Sequence, residues 1–136
     1  NRLGEHVFTQ PGVRTVIVEL GINDIFQHDD GPDAIIAALQ QIVADLHQRH
    51  LRVLLGTMVP ATGDPSWTPV REATRQAVNR YVRTTRDSDG VVDLDLAVRD
   101  PANPAQLNPA FDGGDHVHPT AAGNRAIAEI VPLSRL

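Results

Sequence analysis

The sequence predicts an α/β protein in which a parallel β-sheet is covered by helices on both faces. Strand-like and helix-like segments alternate along the chain, which is the pattern of a parallel sheet with helical crossovers. The first strand, residues 15–20, is too uniformly apolar around Glu19 to be a half-exposed antiparallel strand. The 136 residues suit one domain, so we expect a single domain over residues 1–136.

Each predicted element follows from a local pattern. After the first strand, apolar residues recur every three or four positions, which predicts an amphipathic helix. Thr68 followed by Pro69 is typical of a helix start, and Thr120 is predicted to cap the last helix. The predicted strands are residues 15–20, 52–58 and 91–94, and the predicted helices are residues 33–49, residues 69–86 and the segment from Thr120 to Pro132.

Three polar segments follow the carboxyl ends of the predicted strands. These are the turn at residues 21–24, the loop at residues 61–67 and a long loop rich in Pro, Asn and Asp at residues 97–119. A loop as long as the one at residues 97–119 is usually functional or disordered when it occurs inside a compact domain. Ligands of open parallel sheets bind outside the carboxyl ends of the strands, so we expect a site at this edge.

Composition excludes several classes of function. The net charge is -5, and the 12 basic residues are all Arg and scattered over the predicted helices, so nothing indicates a nucleic-acid partner. Cysteine is absent, which rules out disulfides and thiolate metal sites within these residues. No apolar run approaches the roughly 18 residues of a membrane span.

The segment Asp115-His116-Val117-His118-Pro119 carries the strongest chemical signal. An Asp three residues before a His, on a turn that feeds a helix, can hold the imidazole through Nδ1–H and leave Nε2 free to accept a proton. The same residues are also good turn formers, so the motif alone does not exclude a plain loop. A catalytic interpretation predicts that Asp115 and His118 are hydrogen-bonded.

Two segments together resemble blocks of the SGNH (GDSL-type) hydrolases. Gly21-Ile22-Asn23-Asp24 after the first strand resembles one block, and the segment from Pro109 to Gly123 resembles the last. Asn1-Arg2-Leu3 resembles the tail of a further block. The resemblance implies a three-layer α/β/α sandwich with a parallel, flavodoxin-like sheet whose first strands are missing. Residues 1–136 would then be the C-terminal part of the domain, without the Gly-Asp-Ser block that supplies the nucleophile.

The resemblance also implies a reaction and assigns residues to it. A carboxylic ester, whether a small molecule, a lipid or a carbohydrate ester, would be cleaved by a Ser-His-Asp mechanism that needs no cofactor or metal. His118 would act as general base and then acid, Asp115 would orient it, and Asn23 would donate its amide to the oxyanion. A secreted or extracellular protein is expected, with the N-terminal remainder of the domain as partner. Candidate substrate-binding residues are Gly21, Ser66, Trp67 and His116.

Two alternatives and one structural consequence accompany this interpretation. In the first alternative, the chain is a non-catalytic binding remnant of the same fold. In the second, it is a metal-dependent hydrolase that uses Asp115, His116 and His118. Ser66 is the one serine on a rim loop, but Pro65-Ser66-Trp67 lacks the sharp turn of a nucleophile. If the first strand is missing, residues 15–20 should form an unpaired apolar edge.

Overall fold

The computed structural model describes residues 3–136, except for the side chain of Arg135. Asn1 and Arg2, which carry part of the resemblance to a further block, lie outside the described residues. The parallel strands are β1 (Thr15–Val18), β2 (Arg52–Gly56) and β3 (Gly90–Val92), in the order β1-β2-β3. The helices are α1 (Ile22–His28), α2 (Pro32–His47), α3 (Pro69–Thr84), α4 (Leu94–Val98) and α5 (Ala121–Glu129), with a π-helical turn at Leu3–Val7 and a 3-10 turn at Leu133–Arg135.

The central strand β2 shows that both faces of the sheet are covered. Val53, Leu54 and Leu55 are fully buried, although successive side chains of a strand point to opposite faces. Such a strand needs helices on both sides, which is the arrangement expected of a parallel sheet. The predicted α/β fold with a parallel sheet flanked by helices is therefore confirmed.

The apolar spacing predicts the buried face of α2 but only part of that of α3. In α3 the polar Thr74, Arg75 and Asn79 are also buried, whereas Val70 is 75% exposed. Leu39, Val43 and Leu46 of α2 are buried, and so are Val78 and Val82 of α3. Residues three or four positions apart lie on the same side of a helix, so each set forms one apolar stripe. The two helices pack against each other, which fixes α3 and the loop before it relative to the sheet.

The helix starts follow the predicted capping chemistry. Thr68 accepts a hydrogen bond from the backbone N–H of Arg71 at 3.3 Å, and Thr120 accepts one from Gly123 at the same distance. Each threonine thereby satisfies a backbone donor that has no partner inside the helix. Because Thr120 is the residue after Pro119, this cap also fixes where the 97–119 loop ends.

Two short helices were not predicted. The segment at residues 22–28 was expected to be a turn and loop but forms α1, in which Ile25 is the only buried residue. The strand expected at residues 91–94 ends at Val92, because the Asp93 side chain accepts from the backbone N–H of Leu96 and starts α4. Helices of five to seven residues are too short to show a helical period in the sequence.

Strand β1 lies at one edge of the sheet. Among the described residues it pairs with β2 alone, through registers such as Val16 opposite Val53. Ile17 is 41% exposed, and Leu20, just beyond the strand, is 53% exposed. An edge of this kind presents unpaired backbone groups beside apolar side chains, as expected for a sheet that can accept a further strand.

A buried ionic network ties α3 to α4 and to the loop after β2. Arg75 is fully buried and donates to Asp95 Oδ1 at 2.7 Å and to the carbonyl oxygen of Met58 at 3.0 Å. Its other guanidinium nitrogens donate to Glu72, whose Oε2 also accepts from Trp67 Nε1 at 3.0 Å. The network therefore links Met58, which follows β2, to helices α3 and α4.

Candidate active site

A cleft of about 580 Å³ lies at the carboxyl edge of the sheet, and we call it the His118 cleft. Glu19 follows β1, Val59 follows β2 and Leu94 follows β3, and all three line it. Asn23 and His118 face the same space. The site predicted from the topology of a parallel sheet is thus present where three strands end.

His118 and Asp115 form the predicted hydrogen-bonded pair. His118 Nδ1 lies 2.7 Å from Asp115 Oδ2, and the backbone N–H of His118 donates to Asp115 Oδ1 at 2.8 Å. Because the ionised carboxylate only accepts hydrogen bonds, Nδ1 carries the proton in this pair. The His118 side chain is 81% exposed, and Nε2 has no protein partner among the described residues. This is the geometry of an oriented general base.

The loop before α5 is folded so that this pair stands at the helix entrance. The backbone N–H of Gly113 donates to the carbonyl oxygen of His118 at 3.0 Å, and that of Thr120 donates to Phe111 at 2.7 Å. A Cβ atom at Gly113 would lie 2.6 Å from the His118 carbonyl oxygen, so the close approach requires glycine. The short-range pairing places His118 before the first turn of α5.

The Asp115 carboxylate is held in its ionised form by the same hydrogen bonds. Donation from the backbone N–H and then the ring of His118, followed by the N–H of Val117, places the pKa of Asp115 well below its ordinary value. A lowered carboxyl pKa contributes stability above the ordinary value, and that stability is lost as pH falls through the lowered one. Asp115 therefore stays ionised, and able to orient His118, in mild acid.

We expect the ¹³C signal of the Asp115 carboxyl to show no midpoint near pH 4, where an ordinary aspartate of pKa about 3.9 titrates. His118→Ala removes the ring donor, so it should move the Asp115 midpoint upward towards the ordinary value. An NMR titration from pH 6 downward measures both. A wild-type Asp115 midpoint at about pH 4 would contradict the hydrogen-bonded geometry.

Asn23 lies on the first turn of α1, not in a turn as expected. Its side chain lines the His118 cleft and makes no hydrogen bond to another described residue, so the amide is free to donate to a ligand. Gly21, expected to bind substrate, does not line this cleft. It has a left-handed φ of 116°, and a Cβ there would lie 3.0 Å from Ile35 and 3.1 Å from Met58. Glycine is therefore required to start α1 and place Asn23.

Ser66 and Trp67, the other expected substrate contacts, do not line the His118 cleft. Ser66 Oγ donates to Asp64 Oδ1 at 2.5 Å, and it is Asp64 that faces the cleft. Trp67 is only 8% exposed, and its ring packs against that of Phe26 with centroids 4.7 Å apart. Because Phe26 lines the cleft, Trp67 supports the wall from behind and does not form it.

The model of the GDSL-like lipase/acylhydrolase family matches residues 2–126. The chain belongs to this family. The predicted relationship to SGNH (GDSL-type) hydrolases is thereby confirmed. No curated protein matches the chain significantly.

Solved structures of GDSL-type and esterase proteins share the fold. A GDSL-like lipase from Bacteroides thetaiotaomicron is 19% identical, with a TM-score of 0.73 over 88% of this chain and 60% of its own. A carbohydrate esterase family 3 protein from Talaromyces cellulolyticus is 22% identical, with a TM-score of 0.64 over 88% of this chain and 56% of its own. A catalytic mutant of an acetylxylan esterase from Geobacillus stearothermophilus is 23% identical, with a TM-score of 0.60 over 85% of this chain and 56% of its own. The chain thus spans three fifths or less of the length of each.

His116 is separated from the His118 cleft. Its Nδ1 lies 2.6 Å from Asp112 Oδ2, so the two histidines of this GDSL-type loop pair with two different aspartates. Within residues 3–136, no three His, Asp or Glu side chains are grouped as metal ligands. The alternative set of Asp115, His116 and His118 therefore does not converge on one point. In the same part of the chain, no helix is long and apolar enough to cross a lipid bilayer.

Most residues that line the His118 cleft were not among the site residues predicted from the sequence. Glu19, Phe26 and Asp64 line the His118 cleft. Hydrogen bonds from the Ser66 side chain and backbone place the pKa of Asp64 below its ordinary value, so the cleft carries this negative charge. Two signals were available, Glu19 at the end of an apolar strand and Asp64 in the loop at residues 61–67 that follows the second predicted strand. The position of Phe26 depends on α1, which the sequence did not predict.

Proposed function

We propose that the protein containing these residues hydrolyses carboxylic esters by a Ser-His-Asp mechanism. Family membership supports ester hydrolysis in general. The observation that carries the finer assignment is the 2.7 Å contact between His118 and Asp115, beside Asn23 in one cleft. An oriented imidazole with a free Nε2 next to an unpartnered amide suits a reaction that needs a base and an oxyanion donor.

Each of the three residues has a defined part in this proposal. His118 Nε2 takes the proton of a serine hydroxyl while the serine oxygen attacks the ester carbon, and the Asn23 amide donates to the resulting oxyanion. His118 then gives the proton to the leaving alcohol. In the second half, His118 takes a proton from water as the water oxygen attacks the acyl carbon. It returns this proton to the serine oxygen as the acyl–serine bond breaks and the acid leaves. Asp115 stays ionised and holds the imidazolium throughout.

The nucleophile in this proposal lies outside residues 1–136. The chain has three serines, and none lines the His118 cleft. Ser66 is bound to Asp64, Ser88 donates to the carbonyl oxygen of Gly90 where β3 begins, and Ser134 is in the C-terminal 3-10 turn. We propose that an upstream segment of the same domain supplies the serine and pairs with the free edge of β1, which adjoins the cleft through Glu19.

Small-molecule, lipid and carbohydrate esters are all compatible substrates. The structural neighbours are named as a lipase and as esterases of carbohydrates, and at 19–23% identity they support the fold without selecting among these substrates. The proposed chemistry is common to the three classes, because the base and the oxyanion donor contact only the ester group.

Hydrolysis of p-nitrophenyl acetate tests the proposal. We expect the 136-residue chain to show no turnover of its own and the chain with its upstream segment restored to be active, since only the second contains the serine. Ser66→Ala in the restored chain should leave the rate unchanged. Loss of activity in Ser66→Ala would identify Ser66 as the nucleophile, and a restored chain that binds esters without cleaving them would favour the non-catalytic alternative.

A further inference from the structure

A second cleft of about 510 Å³ adjoins the His118 cleft, and we call it the His116 cleft. Consecutive residues form the wall between the two. Asp64 and Asp115 face the His118 cleft, whereas Gly63 and His116 face the other. The electrostatic influence of both Asp115 and His116 on Asp64 agrees with a thin shared wall. A molecule with its ester group at His118 has the second cleft beside it.

His116 is held in one orientation by its surroundings. Asp112 accepts from its backbone N–H at 3.0 Å and pairs with its ring Nδ1 at 2.6 Å. Its φ is 65°, in the left-handed region that residues other than glycine seldom occupy. The ring also packs over Gly63, where a Cβ would lie 2.9 Å from His116 Cγ. The imidazole is therefore fixed, and its Nε2 has no protein partner among the described residues.

Apart from His116, none of the described residues that line the His116 cleft is a basic residue. Gln106 lines it, and its side-chain amide makes no hydrogen bond to another described residue. Thr62 Oγ1, enclosed in its wall, is likewise without a partner. Pro109, which is exposed, adds apolar surface. No Arg of the described chain lines either cleft, so an anionic ligand would face the carboxylates of Asp64 and Asp112 without an Arg to pair with.

We propose that the His116 cleft binds the alcohol portion of the ester and selects an uncharged, hydroxyl-rich group such as a sugar. Hydroxyl groups both donate and accept, which matches His116 Nε2 as acceptor and the Gln106 amide as donor and acceptor. The exposed apolar surface of Pro109 suits the C–H face of a sugar ring. This inference rests on the proposed function, because it assigns the leaving group of that reaction.

Two esters with rings of the same size separate this role from general catalysis. A monoacetylated methyl glucoside carries hydroxyl groups, whereas cyclohexyl acetate has none. In the chain with its upstream segment restored, His116→Ala should lower kcat/KM for the glucoside ester about 3- to 10-fold, as expected for one lost hydrogen bond. The value for cyclohexyl acetate should not change. His47→Ala, which removes another Asp-paired histidine 2.9 Å from Asp89, should change neither value.

A binding measurement decides the subsite independently of catalysis. Titration of the 136-residue chain with methyl glucoside should shift the NMR signals of His116 and Gln106, and His116→Ala should weaken the binding. Absence of these shifts, or equal loss of kcat/KM for both esters in His116→Ala, would overturn the subsite. If the restored chain cleaves neither ester while the titration succeeds, the proposed function fails and the binding site remains.

Discussion

In the chain with its upstream segment restored, His118→Ala is expected to lower kcat for p-nitrophenyl acetate by roughly 10³- to 10⁶-fold, the range found when a triad histidine is removed. The 2.7 Å contact between His118 Nδ1 and Asp115 directs Nε2 outward as the base, and alanine cannot take or return the proton. Initial rates of p-nitrophenolate release at neutral pH measure the effect.

Two further variants make this result specific. Asp115→Asn should also lower kcat, by roughly 10²- to 10⁴-fold, because an amide holds the imidazole tautomer and its positive charge less well than a carboxylate. His47→Ala, far along the chain in the last turn of α2, should keep the full rate. Circular dichroism confirms that the variants are folded. Turnover that persists in His118→Ala would assign the activity to another site.

The second large effect is expected in stability. Arg75→Ala should lower the free energy of unfolding by about 3–5 kcal/mol, the usual result of removing one partner of a buried ion pair. Arg75 and Asp95 are both almost completely buried, and among the described residues Arg75 alone donates to Asp95 Oδ1. The variant also removes the two hydrogen bonds that the Arg75 guanidinium donates to Glu72. Urea denaturation at neutral pH measures the difference.

Arg80→Ala is the matched control for this variant. Arg80 lies on the same helix α3 but is exposed, so its loss should change the unfolding free energy by less than about 0.5 kcal/mol. A similarly small change in Arg75→Ala would show that the remaining donors to Asp95, Arg83 and Arg99, are sufficient. Glu72 holds Trp67 behind Phe26, so Arg75→Ala should also loosen one wall of the His118 cleft.

Short-range patterns were sufficient to predict several features of this protein. The apolar stripe of α2 and the threonine caps at Thr68 and Thr120 are confirmed by the structure, and that of α3 is confirmed at Val78 and Val82. The contact between Asp115 and His118 was predictable for the same reason. A spacing of three residues on a turn brings the two side chains together whatever the rest of the chain does.

Contacts between distant parts of the chain required the tertiary structure. That Asn23 and His118 share one edge was predictable, because both follow strands of a parallel sheet, but only the structure shows which other residues line their cleft. Trp67 and His116 were expected in the same cleft, but packing places the first behind Phe26 and a left-handed backbone turns the second into the neighbouring cleft. Sequence spacing determines hydrogen bonds within a turn. The cleft that a side chain enters depends on the packing of residues far away in sequence, which no local pattern contains.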